Sequence, residues 1–122
     1  MTQPGTMPAM SKEMRDCLDA CMVCHNMCEE TMNSCMQMGG QAQMQGMVMR
    51  ALMDCSETTR MCADMMMRRS PMAAEMCALC ARACDLCAEA CMSVPGDQQM
   101  MRCAEACRRC ADMCRAMAGA TM

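Results

Sequence analysis

The sequence predicts an all-α protein, an antiparallel up-down-up-down four-helix bundle with a cysteine-lined core. Three observations carry this. The cysteines recur at alternating steps of three and four, as in CALCARACDLCAEAC from Cys77 to Cys91, which is the spacing of a bundle seam. Turn signals cut the 122 residues into four long periodic segments. The chain holds 16 Cys and 25 Met with no Phe, Tyr or Trp, so any interior must be thiol, thioether and alanine methyl.

Each element follows from local signals. Gly39-Gly40 ends the first periodic segment, Ser70-Pro71 separates the second from the third, and Val94-Pro95-Gly96-Asp97 separates the third from the fourth. Ser70 is placed to cap a helix with Pro71 at its first position, and Asp97 to cap the last. These signals predict helices at about 11–38, 43–68, 71–93 and 97–118. Short connections between long helices give the antiparallel topology. Residues 1–10 are expected to be a mobile arm, 11–118 one bundle domain and 119–122 a tail.

A seam drawn along each helix collects every cysteine. The first carries Cys17, Cys21, Cys24, Cys28 and Cys35, with Thr31 among them. The second carries Cys55 and Cys62, with Val48, Leu52, Thr59 and Met66 at the other seam positions. The third carries Cys77, Cys80, Cys84, Cys87 and Cys91, and the fourth Cys103, Cys107, Cys110 and Cys114. If the bundle forms, all the thiols point into one tube. Thr59 stands where the pattern asks for cysteine.

Several functions are disfavoured by composition. The net charge is −3 and the charges are interspersed, which marks solvated helix faces. Neither a basic stripe nor stacking aromatics support a nucleic-acid partner. No apolar run approaches the about 18 residues of a membrane span. The first residues, MTQPGTMPAMSKEM, lack the n-region and h-region of a signal peptide. Paired catalytic carboxylates and a nucleotide-binding loop are both missing, so the expectation is a protein that is not an enzyme.

A disulfide scaffold fits poorly. Neighbouring Cβ atoms on one helix lie about 5–6 Å apart, beyond the about 3.5–4.5 Å that a disulfide needs. Isolated zinc or iron–sulfur sites fit poorly as well, because each C-x2-C overlaps a C-x3-C, at 17–28 and again at 103–114. Charge then selects the metal. A zinc tetrathiolate carries −2, and several in a dry tube would bury a large uncompensated charge. Cu(I) with one thiolate is neutral however many units are joined, and this soft ion prefers sulfur. The tube is read as a binding place for multiple Cu(I) ions, about one per thiol; a metallothionein-like Zn(II)/Cd(II) sponge is the alternative.

The repeated C-x3-C-x2-C-x3-C segments make residues 12–118 resemble the four-helix bundle copper storage proteins, a bacterial family with cysteine-lined interiors. The resemblance implies homotetramers that store many Cu(I) ions per chain, held mainly by Cys. It also implies an exported branch with a twin-arginine leader and a cytosolic branch; this chain, read without a leader, is expected in the cytoplasm, or exported if a leader was removed. A copper chaperone or a cuproenzyme client would then be possible partners. The resemblance offers His25, beside Cys24, as an accessory ligand, whereas the residues alone favour a surface or satisfied histidine. Copper is expected to enter at the end carrying Cys35, Met36, Met38, Met44 and Met47, rather than at the end carrying Met14, Met66, Met72 and Met117. Two features depart from the family pattern: Thr59, and the absence of aromatics.

Overall fold

The computed structural model describes residues 9–38 and 42–119, without the side chains of residue 38 and residues 42–45. Four helices follow one another: α1 (Lys12–Met38), α2 (Ala42–Met67), α3 (Ala73–Met92) and α4 (Gln98–Gly119). Each packs on the helices before and after it, α4 closes the ring against α1, and no diagonal pair meets among the described residues. This is the expected four-helix bundle. None of the helices is long and apolar enough to cross a membrane among those residues.

Local chemistry sets the helix ends. Ser11 takes the Met14 N–H at 3.1 Å and caps α1, a signal that the sequence reading passed over. Asp97 caps α4 as expected, its Oδ1 accepting from the Met100 N–H at 3.0 Å. The start of α3 needs correction. Regular helix begins at Ala73 rather than Pro71, although the Ser70 hydroxyl does accept from the Met72 N–H at 3.1 Å. Pro71 and Met72 are spent on a tight turn in which the Ala73 N–H reaches back to Ser70 O at 3.0 Å.

The end of α2 at Met67 lies within one residue of the expected 68, but the bonds that close it were not legible. Ser70 N–H reaches Met65 O at 2.9 Å and Arg69 N–H reaches Met66 O at 3.1 Å, the paired bonds that close a helix through a left-handed residue. Glycine usually fills that place, but here it is Arg69, with φ 53°. Its guanidinium donates to Met67 O at 2.6 Å, satisfying a terminal carbonyl and offsetting a backbone strain of about 1–2 kcal/mol. Between α3 and α4 the left-handed position, φ 78°, does fall to a glycine, Gly96.

All sixteen cysteines are buried, fifteen with no exposed surface and Cys35 with 2%. Alanines such as Ala63, Ala104 and Ala111 fill the gaps between helices, so the backbones pack closely around the sulfurs. The only polar side chains in the described interior are Thr31, Ser56 and Thr59, and no charged side chain is buried there. The predicted arm at 1–10 and tail at 119–122 fall almost wholly outside the described residues, as do Gly39 and Gly40.

Candidate metal centre

Because each helix aims one seam at the axis, cysteines far apart in sequence meet as a ladder of sulfurs. At the lower end Cys17 and Cys21 of α1 both lie 3.7 Å from Cys114 of α4, and Cys62 of α2 lies 3.6 Å from Cys77 of α3. One step up, Cys110 stands 3.7 Å from Cys21. At mid-height Cys55 is 3.6 Å from both Cys24 and Cys84, while Cys24 is 3.7 Å from Cys107. Above them Cys28 and Cys103 are 4.0 Å apart. None of the sixteen is in a disulfide.

These separations suit a shared ion. With a metal–sulfur bond of about 2.3 Å, two sulfurs on one ion sit about 3.8 Å apart in tetrahedral geometry and about 4.6 Å apart in linear geometry. The sulfurs are thus at chelating distance already, and a linear S–Cu–S unit asks them to move apart by about 0.6–1.0 Å. Three groups hold four sulfurs within 4.8 Å of one another: Cys21/Cys80/Cys110/Cys114, Cys24/Cys28/Cys55/Cys107 and Cys28/Cys87/Cys103/Cys107. A further group of three, Cys24/Cys84/Cys110, links the first to the second. Cys24, Cys28, Cys107 and Cys110 each belong to two groups, so the ladder is continuous, as the overlapping motifs required.

Proton affinity is distributed along this network. Cys84 is held above the ordinary thiol range by its sulfur contacts with Cys110, Cys24, Cys55 and Cys80, with burial adding to the effect. Cys114 is raised in the same way by Cys110, Cys17, Cys21 and Cys62. Cys24 goes the other way, pulled down because Cys107, Cys110, Cys28 and Cys55 can donate S–H bonds to its thiolate. At the upper end burial pushes Cys35 up, and the Asp97 carboxylate pushes it further. An incoming cation that replaces protons removes both penalties at once.

The arrangement has known counterparts. The copper storage protein profile matches residues 10–119. The chain belongs to the copper storage protein family. The Cu(I)-bound copper storage protein BsCsp3 superposes with a TM-score of 0.82 at 28% identity, covering 88% of this chain and all (100%) of that one. The apo form of copper storage protein 3 from Bacillus subtilis gives 0.77 at 28% identity, over 86% and 98% of the two chains. A protein from Nitrosospira multiformis gives 0.77 at 32% identity, over 88% and 95%. No curated protein matches.

Within this copper storage bundle the remaining candidate ligands are placed less uniformly than the cysteines. His25 is half-buried between α1 and α2. Its Nδ1 faces the Ser56 carbonyl at 2.8 Å and the Ser56 hydroxyl at 3.1 Å, and that hydroxyl donates to Glu29. Nδ1 therefore carries the proton, leaving the Nε2 lone pair open, the tautomer a ligating histidine adopts. His25 belongs to none of the cysteine groups. Nothing in its own motif foretold Ser56, which is 31 residues away.

The methionines divide between surface and seam. Met36 and Met47 are two-thirds exposed, at 68% and 67%, while the side chains of Met38 and Met44 lie outside the described residues. At the opposite end Met66 and Met117 are buried and Met72 is exposed. The upper seam of α2 carries Val48 and Leu52, both buried, so the ladder has three cysteine-bearing walls there and four at the lower end. Thr59 is fully buried, as its seam position required. Its hydroxyl turns back to its own helix, donating to Cys55 O at 2.7 Å and Ser56 O at 3.0 Å.

Proposed function

We propose that this protein stores and buffers Cu(I), many ions per chain, by exchanging core thiol protons for copper. The observation that carries the reading is the continuous ladder of shared sulfurs in an interior with no charged side chain among the described residues. Such a core admits a long metal chain only if each added unit is neutral. One Cu(I) per thiolate meets that condition; a divalent tetrathiolate does not. The match to a Cu(I)-bound relative supports the same cargo.

The role is sequestration without catalysis, in the cytoplasm, in a homo-oligomer of the tetrameric kind the family resemblance implies. Exchange with a copper chaperone or a cuproenzyme client is the accompanying expectation. The cysteines hold the ions. Met36, Met38, Met44 and Met47 serve as neutral soft ligands at the mouth, needing no deprotonation, and His25 is an accessory ligand already in the right tautomer. Anaerobic titration of the reduced protein with Cu(I), read by native mass spectrometry, tests this. About one ion per thiol, near sixteen, is expected from the charge match. Saturation at four or fewer would sink the proposal in favour of a divalent-ion sponge.

A further inference from the structure

We infer that Met66 and Met117 cap the lower end of the sulfur ladder as thioether ligands to its terminal Cu(I) ions, at the opposite end from the methionines of the mouth. This rests on the storage reading above. The ladder ends there in two sulfur pairs, Cys62 with Cys77 at 3.6 Å and Cys17 with Cys114 at 3.7 Å. Cys17, Cys62 and Cys77 belong to none of the groups in which three or four sulfurs converge. An ion on either pair meets two thiolates, where ions in the middle of the tube meet three or four. The terminal ions are therefore the ones short of a soft donor.

Helix direction supplies that donor. One turn below the pairs, the seams continue as Met66 after Cys62 and Met117 after Cys114, both buried, at 0% and 6% exposure. A helical side chain lies over the turn N-terminal to its own Cα. Because α2 and α4 run down toward this end, Met66 and Met117 lean back up onto the turns that carry Cys62 and Cys114. Residues one turn apart have Cβ atoms about 5–6 Å from each other, a gap that a leaning thioether and metal–sulfur bonds of about 2.3 Å close. Met14 is different: α1 runs upward, so Met14 leans away from Cys17, and it is only partly buried. Volume alone does not explain the choice of residue. At its upper seam positions α2 buries Val48 and Leu52, and it buries a seam methionine only beside the terminal thiolates. A third thiolate would add a negative charge to the end of the tube, whereas a thioether adds a soft donor with no charge and no proton to displace.

The test times the loss of copper cysteine by cysteine. Fully Cu(I)-loaded protein is placed in excess Cu(I) chelator with iodoacetamide present, and alkylation of each cysteine is followed by peptide mass spectrometry. Met66→Leu keeps the approximate volume and removes the sulfur. In that variant Cys62 and Cys77 should lose their protection at least about tenfold faster than in wild type. Met117→Leu should do the same at Cys17 and Cys114. Cys24, Cys55 and Cys107 at mid-height should keep wild-type rates in both, and Met14→Leu should leave Cys17 as it is. Metal-free variants should be alkylated as fast as the metal-free wild type, since leucine preserves the packing. Wild-type protection of the terminal pairs in both leucine variants, faster alkylation already in their metal-free state, or an equal effect of Met14→Leu would overturn the inference. A wild type whose cysteines gain no protection from added Cu(I) would instead overturn the storage reading beneath it.

Discussion

Raising the pH of the metal-free protein should unfold it abruptly, whereas the Cu(I)-loaded protein should be indifferent. The chain has no tyrosine and one lysine, exposed Lys12, and arginine does not titrate, so alkali reports almost purely on the sixteen thiols. Eleven of them are shifted up, ten within the sulfur network and Cys35 by burial and the Asp97 carboxylate. Four are shifted down and are ionised in both states above the unfolded value, so they add nothing to the alkaline slope. A thiol raised in the native state stabilises it fully below the unfolded value, near 8.5. That contribution drains away above it, since only the unfolded chain can then release the proton. At about 1.36 kcal/mol per group per pH unit, the eleven raised groups remove about 15 kcal/mol for each unit above about 8.5. A domain of this size has about 5–15 kcal/mol to lose. The midpoint should therefore fall between about pH 8.5 and 9.5. The assay is anaerobic circular dichroism against pH, with thiolate absorbance recorded in parallel. Coincident loss of helix and appearance of thiolate is expected for the apo protein, and no transition for the loaded one, which has no thiol protons left to release. Apo protein that stays helical while its thiols titrate near 8.5 would refute the coupling between the sulfur network and the fold.

Other expectations follow from the same geometry. Thr59→Cys should add about one Cu(I) and cost no more than about 1 kcal/mol in thermal unfolding, since the carbonyls it leaves can keep their helical partners. Unchanged stoichiometry would mean that α2 does not face the channel at that height. Zn(II) titration should saturate at two ions per chain, because only two of the three four-sulfur groups can be filled together, the others sharing Cys28 and Cys107. A measured value of four would show that the ladder rearranges. Changing Met38, Met44 and Met47 together to Leu should slow Cu(I) uptake at nearly full capacity, with stopped-flow loading as the readout. The matched change at Met14, Met66 and Met117 should slow it less, and the reverse order would put the entrance at the other end.

The number of helices, their seams and the burial of every cysteine were present in the sequence, because a three-four repeat has one geometric solution in an antiparallel bundle. Asp97 as a cap was legible for the same kind of reason: a short side chain acts within one turn of its own residue. Cu(I) as cargo could be argued from charge alone, since the neutrality of a Cu(I)–thiolate unit does not depend on where the sulfurs lie. The late start of α3 and the closing of α2 through Arg69 escaped because several backbone bonds compete there and the usual glycine is absent.

What only the tertiary structure decided concerns partners distant along the chain. Which sulfurs share an ion depends on the relative heights of four helices, set by packing in three dimensions: Cys17 meets Cys114, 97 residues on. The tautomer of His25 is imposed by a carbonyl of α2, 31 residues away. Leu79 and Leu86 look in sequence like ordinary helix formers. Only the assembled bundle leaves them outside, because the cysteine seam has already claimed the opposite face of α3.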